Sequence, residues 1–291
     1  MPYADRDGVK IYYEETGSGA PILFLHEYGG DKRSWEPQVR HYSRDHRCVV
    51  MCARGYPPSD VPEDESLYGQ DHANADAIAV MDAAGLDQCT VIGLSMGAYT
   101  GLRLAIHHAE RVTALVAASG GAGSPREQQQ VFHDEAYARS EEYLDAGKML
   151  ADPFAGGPTR TQLKRKDIRG WTEFRDQLAE HPAIGAAYTL RHVQGERPSL
   201  YDFEAEFNAC RVPTLLMVGD EDDVCLDVNV WLKRAMPTSG LRVFPKSGHL
   251  INLEDPATFN AEIDDFLKQT RAGVWPVREA FDGNYAGIGP R

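Results

Sequence analysis

A serine placed between two glycines is the first group in this sequence that predicts chemistry. Gly93, Ser95 and Gly97 follow a short apolar run and precede a segment whose apolar residues recur at helical spacing. Glycines at these positions allow a sharp strand-to-helix turn that exposes the serine hydroxyl, and the helix directs its positive end toward a developing oxyanion. We therefore predict that Ser95 is a nucleophile.

A serine nucleophile needs a base, and the base needs an acid that orients it. After a turn of this kind the two partners follow later in the chain, the acid first and the histidine second. Among the ten histidines, His249 follows a late strand in a glycine-containing turn, so we predict that it is the base. Four carboxylates follow the strand predicted at 213–219, and periodicity does not choose among Asp220, Glu221, Asp222 and Asp223.

The elements that must position these groups alternate between short apolar strands and helical patterns. This alternation predicts an α/β fold in which a mostly parallel sheet is flanked by helices on both faces. The predicted strands lie at 9–14, 21–26, 47–53, 88–94, 113–119, 213–219 and 241–244. A late helix is predicted to begin at Pro256, with Asp255 as its cap.

The alternation of strands stops for about 90 residues between Ser119 and Pro213, which is too long for a loop. We predict a core at 1–119 and 212–271 and an inserted helical cap at 120–211, over the sheet edge where ligands bind. The tail at 272–291 is predicted to pack on its own core. Exchange of this tail with a second subunit is the alternative, which makes a homodimer possible.

The amino-acid composition limits which binding partners and which cellular location are expected for the protein. The longest apolar run of the 291 residues, at 48–53, is far shorter than the roughly 20 residues of a membrane-spanning helix. A net charge of −14 opposes binding to nucleic acid or an anionic membrane surface. The first residues lack the apolar core of a secretory signal, so a cytoplasmic protein is expected. Five cysteines without zinc-ligand spacing predict buried thiols and no metal site.

Five motifs, in order and spacing, resemble the α/β-hydrolase fold superfamily over about 9–270 outside the cap. They are the serine turn, the His-Glu-Tyr-Gly-Gly loop at 26–30, and the segments at 54–60, 219–222 and 248–249. The resemblance implies a cofactor-free serine hydrolase, similar to esterases and lactonases, with a helical cap. It also implies that Asp222 is the acid and that the backbone amides of Tyr28 and Met96 form the oxyanion hole.

The predicted reaction is hydrolysis of a small-molecule carboxylic ester, thioester or lactone through an acyl-enzyme on Ser95. The same three catalytic residues suit other functions of similar proteins. These are a carbon–carbon bond hydrolase or enol-lactonase of aromatic breakdown, a perhydrolase, and a ligand sensor with slow turnover.

Two features near the predicted site concern the substrate. Glu27 stands where similar proteins commonly have glycine, and it either turns outward or faces the pocket as a substrate-binding group. The loop at 26–30 is called the oxyanion loop. Trp35, which is near it in sequence, is predicted to contact substrate. A basic cluster in the cap either captures a substrate carboxylate or forms a solvated helix face; it consists of Arg160, Lys164, Arg165, Lys166 and Arg169.

Overall fold

The structure is a computed structural model that describes residues 2–279, so most of the predicted tail at 272–291 lies outside the described residues. The described residues form one eight-stranded sheet in the order β1-β2-β4-β3-β5-β6-β7-β8. The first three strands of this order pair antiparallel, and all later neighbours pair parallel. With helices packed on the sheet, this confirms the predicted α/β class.

The strands agree with the predicted ones to within a few residues, apart from one addition at the start. They are β1 (Tyr3–Arg6), β2 (Val9–Thr16), β3 (Ala20–Leu25), β4 (His46–Met51), β5 (Cys89–Leu94), β6 (Val112–Ala118), β7 (Thr214–Gly219) and β8 (Ser239–Phe244).

The α-helices lie between the strands and in one long insertion. They are α1 (Glu36–Tyr42), α2 (Gln70–Ala83), α3 (Met96–His107), α4 (Arg126–Ala146), α5 (Ala151–Ala155), α6 (Thr161–Lys166), α7 (Ile168–Ala179), α8 (Ala183–Tyr188), α9 (Glu204–Ala209), α10 (Asp223–Ala235), α11 (Ile251–Glu254) and α12 (Pro256–Arg271). Short 3-10 helices occur at Lys32–Trp35, Glu65–Leu67, Ala109–Arg111 and Leu200–Phe203, and a π-helix at Thr189–Gly195.

Strand β1 was not predicted from the sequence. Arg6 pairs with Val9, so β1 and β2 form a hairpin whose two-residue loop is Asp7-Gly8. Both loop residues have positive φ, of 54° and 84°. Asp-Gly is a preferred sequence for such a loop, because the twist of a turn with two positive φ values matches that of the strands. This dipeptide is the signal that could have located β1.

The central strands are buried on both faces, which explains their nearly continuous apolar sequences. Leu23 and Phe24 of β3 are both fully buried but belong to separate apolar clusters, one on each face of the sheet. The late helix begins at Pro256 as predicted, and the Asp255 side chain accepts a hydrogen bond from the Thr258 amide. The two apolar clusters fix the sheet between its flanking helices, so that the carboxyl ends of the parallel strands lie together at one edge.

The segment that connects β6 to β7 contains α4 to α9 and no strand among its described residues. We call residues 120–211 the cap.

All five cysteines are buried and unpaired, as predicted. In the described part of the chain, no helix has both the length and the apolarity required to span a membrane. Trp275 packs against Phe266, with ring centroids 4.8 Å apart, and donates a hydrogen bond to the Thr238 carbonyl.

Candidate active site

Ser95 lies at the turn between β5 and α3 in a strained backbone conformation. Its φ is 54° and its ψ is −107°, a region that residues with a side chain rarely adopt. The Ser95 amide donates to the Ala118 carbonyl at 2.8 Å, which ties the turn to β6. A Cβ on Gly97 would lie 2.0 Å from the Leu25 carbonyl oxygen, so only glycine fits there. The core therefore holds Ser95 at the N-terminus of a 12-residue helix.

Asp222 and His249 are brought together from the loops after β7 and β8. His249 Nδ1 lies 2.8 Å from Asp222 Oδ2, and both side chains are buried. Because Nδ1 faces the carboxylate, Nε2 is the nitrogen left to exchange a proton with a nucleophile or leaving group. No hydrogen bond joins Ser95 to His249 within residues 2–279, although such contacts are often long without substrate.

The other carboxylates of this turn face elsewhere. Asp220 accepts a hydrogen bond from the Ser247 amide at 3.3 Å, and Glu221 accepts one from the side chain of Gln162 in the cap at 3.0 Å. Asp223 is exposed at the start of α10. Asp222 is thus the member of the group that contacts the histidine.

The loop after β3 holds a backbone amide that is free to act as a donor. Within the described residues, the amides of Tyr28 and Met96 donate no hydrogen bond, whereas those of Gly29 and Gly30 donate to the Tyr56 hydroxyl and the Glu27 carbonyl. Two free amides beside a nucleophile suit the stabilisation of an oxyanion. Their assignment as the oxyanion hole stays a prediction.

His26 supports this loop from the core side. Its Nδ1 donates to the Glu27 carbonyl at 2.7 Å, and its Nε2 accepts the Ala53 amide at 2.8 Å. These two bonds require a neutral ring with the proton on Nδ1. Burial agrees with this state, because it lowers the pKa of His26 to about 4.

Glu27 does not turn outward to the loop amides, which corrects one of the two predictions made for it. Its side chain is fully buried, and Oε2 lies 3.0 Å from Nη2 of Arg160 in the cap. A buried carboxylate needs a partner because desolvation of an unpaired charge is costly, and the guanidinium supplies one. The residue is not among those with positive φ, so this loop does not require the glycine of similar proteins.

The structure also corrects the prediction that Trp35 contacts substrate. The side chain is fully buried, and its ring lies 5.3 Å from that of Phe24 and 6.3 Å from that of Phe259, centroid to centroid. These neighbours belong to β3 and α12, so Trp35 fills the core beneath the oxyanion loop. Its proximity in sequence to the loop did not predict the direction of its side chain.

The basic cluster of the cap was predicted either to capture a substrate carboxylate or to form a solvated helix face. Neither prediction describes the whole cluster, because two of its members pair with buried carboxylates of the core. Arg160 pairs with Glu27, and Lys166 Nζ lies 3.0 Å from Glu254 Oε2. Lys164 instead lies over the Trp171 ring, 4.3 Å from its centroid. The cluster therefore joins cap to core, and its positive charges offset buried acids of the core.

Three buried residues each offer a ligand atom for a metal, and these atoms lie within 4.8 Å of one another: Asp222, Cys225 and His249. Cys225 Sγ also lies 3.2 Å from the Ser119 carbonyl, to which the thiol can donate. Burial raises the pKa of Cys225 well above its ordinary value, which favours the thiol over the metal-binding thiolate. The set therefore fits an acid–base pair beside a thiol better than a metal site.

A small cavity of about 40 Å³ lies beside the serine turn. Its walls include Met96 and Gly97 from α3, His26 from the oxyanion loop, and Thr189 and Val193 from the π-helix of the cap. The lining is mainly apolar. This places a small apolar chamber between core and cap. It adjoins Met96, the residue after the predicted nucleophile, but Ser95 and His249 are not among the residues that line it.

Comparison with known proteins agrees with this architecture. The chain is 26% identical over 271 residues to a putative 2-succinyl-6-hydroxy-2,4-cyclohexadiene-1-carboxylate synthase of Bacillus subtilis, covering 90% of this chain and 96% of that protein. It is 26% identical over 270 residues to 3-oxoadipate enol-lactonase 1 of Acinetobacter baylyi, covering 91% and 95%. The solved enol-lactonase of Burkholderia xenovorans superposes with a TM-score of 0.80 at 23% identity, covering 92% and 100%.

These relatives share the fold and span nearly the whole chain. The family model of the alpha/beta hydrolase fold matches residues 20–256, which is most of the sequence. The protein therefore belongs to the α/β hydrolase family.

Proposed function

We propose that the protein hydrolyses a small, neutral carboxylic ester, thioester or lactone through an acyl-enzyme on Ser95. One observation carries the proposal. The buried 2.8 Å contact between Asp222 and His249 lies at the carboxyl edge of the sheet, where the strained Ser95 turn also lies. A strained serine after β5, an acid after β7 and a base after β8, all at one edge of the sheet, suit acyl transfer.

In the first half of the reaction His249 Nε2 removes the Ser95 hydroxyl proton while Oγ attacks the substrate carbonyl carbon. Asp222 holds the ring orientation and stabilises the imidazolium. The oxyanion is held by the amides of Tyr28 and Met96. The imidazolium then donates its proton to the leaving oxygen or sulfur as the acyl bond breaks, and the acyl group remains on Ser95.

In the second half water replaces the leaving group. His249 takes a proton from the water, and the resulting hydroxide attacks the acyl carbon. The second oxyanion collapses, the proton passes to Ser95 Oγ, and a carboxylic acid leaves. For a lactone the leaving hydroxyl and the acid are two ends of one product.

Two features support a neutral substrate. The two charged residues in the wall of the chamber, Arg54 and Asp76, pair with each other at 2.7 Å. The lining surface of the chamber is mainly apolar. Nearer the oxyanion loop, the guanidinium of Arg160 is already paired with Glu27. The 3-oxoadipate enol-lactonase among the relatives supports including lactones in the substrate class.

The test uses a fluorophosphonate label, with the modified peptide identified by mass spectrometry. It also uses a panel of neutral acyl esters, thioesters and lactones. We expect labelling at Ser95 and a loss of kcat of at least about 10⁴-fold in Ser95→Ala. Ser66→Ala, at an exposed serine distant in sequence, is the matched control and is expected to retain activity. Labelling elsewhere, or an active Ser95→Ala, contradicts the proposal. A single stoichiometric burst without turnover supports the sensor alternative instead.

A further inference from the structure

One short stretch of the cap contacts three of the four segments that carry the predicted catalytic groups, the exception being the serine turn. The Thr159 carbonyl accepts the backbone amide of His249 at 2.7 Å. The next residue, Arg160, pairs through Nη2 with Glu27 Oε2 at 3.0 Å. Two successive cap residues thus contact the oxyanion loop and the loop at 245–250, which carries His249 and is called the histidine loop.

Helix α6, which follows directly, adds two more contacts. Lys166 Nζ lies 2.7 Å from Ser247 Oγ and 3.0 Å from Glu254 Oε2. The Glu254 carboxylate in turn accepts the Gly248 amide at 3.0 Å. Burial raises the pKa of Glu254, while the hydrogen bonds from Gly248 and Lys166 oppose that rise. The histidine loop is therefore held through a buried carboxylate that depends on a cap lysine.

The loop that carries the acid is contacted as well. Gln162 Nε2 donates to Glu221 Oε2 at 3.0 Å, one residue before Asp222. A Cβ on Gly248 would lie 2.2 Å from the Thr159 carbonyl oxygen and 2.5 Å from Gln162 Oε1. The fit between this stretch and the catalytic loops is thus close enough to exclude a methyl group.

We propose that Thr159, Arg160, Gln162 and Lys166, which we name the cap clamp, are positioning residues that hold the oxyanion, acid and histidine loops in their reactive arrangement. The proposal rests on the proposed function, because it assigns a role in that reaction. None of the four takes part in bond making. They act through Glu27, Glu221, Glu254 and the backbone of His249.

Arg160 is the member with the most direct effect on the reaction. Glu27 immediately precedes Tyr28, so the ion pair fixes the residue next to the predicted oxyanion donor. The guanidinium carbon also lies 4.0 Å from the Phe154 ring centroid, and the Phe154 ring is 5.5 Å from the Tyr28 ring, centroid to centroid. Oxyanion stabilisation depends on donors held in advance at the right distance. Release of Glu27 is therefore expected to lower kcat more than substrate binding.

The burial of this pair favours a positioning role over substrate capture. The Arg160 side chain is 13% exposed and that of Glu27 is fully buried. Burying two charges is costly, and replacement by apolar groups often preserves stability, so such pairs are not explained by stability alone. A substrate carboxylate would have to compete with Glu27 for the guanidinium.

The experiment compares Arg160→Met, Glu27→Gln and the double variant with wild type, at equal concentrations of folded protein. The readouts are kcat and KM for a short neutral ester, and the rate of fluorophosphonate labelling of Ser95. We expect each single variant to lose about 10- to 100-fold in kcat and in labelling rate, with KM changed by less than about 3-fold. The double variant should be no slower than the slower single variant, because both remove one interaction.

Two further variants separate positioning from general stability. Arg160→Lys keeps the charge and is expected to recover part of the lost kcat. Lys164→Met is the matched control, because Lys164 lies in α6, directly after Arg160, but contacts Trp171 rather than a predicted catalytic loop. It is expected to stay within about 2-fold of wild type in kcat.

The proposal is overturned by unchanged kcat in the single variants, or by a change confined to KM for acidic esters. It is also overturned if the losses equal those of Lys164→Met. If Arg160→Met does not fold, Lys166→Met replaces it; a similar fall in kcat supports the clamp and an unchanged kcat overturns it. Amide hydrogen exchange of residues 26–30, faster in Arg160→Met, tests the clamp without catalysis. Wild-type protein that fails to label at Ser95 counts against the proposed function alone.

Discussion

The serine turn and the oxyanion loop lie at the same edge of the sheet but are held by different parts of the chain. The serine turn is held by the core. The Ser95 amide bonds to Ala118 of β6, and Gly97 lies against Leu25 of β3. None of these contacts involves the cap, so the strain at Ser95 is balanced by packing within the sheet and its helices.

The oxyanion loop is held from two sides. His26 anchors it to the end of β4 through the Ala53 amide, and Arg160 anchors Glu27 from the cap. The histidine loop shares this dependence through Thr159. A movement of the cap would therefore leave Ser95 in its strained conformation but would release the groups that are predicted to stabilise charge.

The largest effect is expected at Asp222, the predicted acid. Asp222→Asn should lower kcat by about 10⁴-fold, equivalent to about 5 kcal/mol of transition-state stabilisation, because the amide favours the wrong tautomer of His249. The measurement is steady-state kinetics on the best ester of the panel. Asp220→Asn is the matched control and should cost less than about 10-fold, since its carboxylate contacts the Ser247 amide. Equal losses in the two variants would remove Asp222 from its proposed role.

An intermediate effect is expected when the pH is lowered, and it arises at His26, which anchors the oxyanion loop on the core side. Burial lowers the pKa of His26 to about 4 from an ordinary value of 6.5. Between these values the unfolded chain binds a proton that the folded chain does not, so stability falls as pH falls from 6.5 to 4. The loss is roughly 3 kcal/mol of the free energy of unfolding, and the full contribution is present above pH 6.5.

Urea unfolding at several pH values measures this effect. His26→Asn keeps a donor near the Nδ1 position but cannot titrate, so its stability should change less between pH 6.5 and 4 than that of wild type. His181, which is also buried and whose pKa is also lowered, remains in both proteins and cancels in the comparison. Parallel pH curves for the two proteins would show that His26 is not the titrating group.

The smallest effect is expected where cap and core backbones meet. A Cβ on Gly185 of α8 would lie 1.9 Å from the Gly55 carbonyl oxygen, so Gly185→Ala must shift the cap locally. We expect a loss of about 1–3 kcal/mol in the free energy of unfolding, as for other overpacked sites. Gly157→Ala is the control, since its Cβ would approach nothing closer than 3.2 Å. If kcat falls in Gly185→Ala while urea unfolding is unchanged, the cap acts on the site without contributing to stability.

Much of the site was predictable because its signals are local in sequence. The glycines around Ser95 mark a turn that no other residue type fits, and the turn after β8 marks His249. The choice of Asp222 among four neighbouring carboxylates came from a family resemblance, and the structure shows why periodicity could not make it. In this turn, burial and direction differ from one residue to the next.

The assignments that failed concern side chains whose partners are distant in sequence. Trp35 is close to the oxyanion loop along the chain but packs against Phe24 and Phe259. Glu27 and Arg160 are separated by 133 positions, and neither residue signals the other. Strand β1 is the exception, because the Asp7-Gly8 dipeptide was a local signal that went unused.

The sequence alone determined the α/β class, the order of the strands along the chain and the position of the serine turn. These follow from apolar periodicity and from glycines that sterics require, which are properties of neighbouring residues. Only the tertiary structure decided which charges meet, because a long-range ion pair depends on how cap and core pack rather than on spacing. Two members of the basic cluster, Arg160 and Lys166, thus pair with the buried Glu27 and Glu254 of the core.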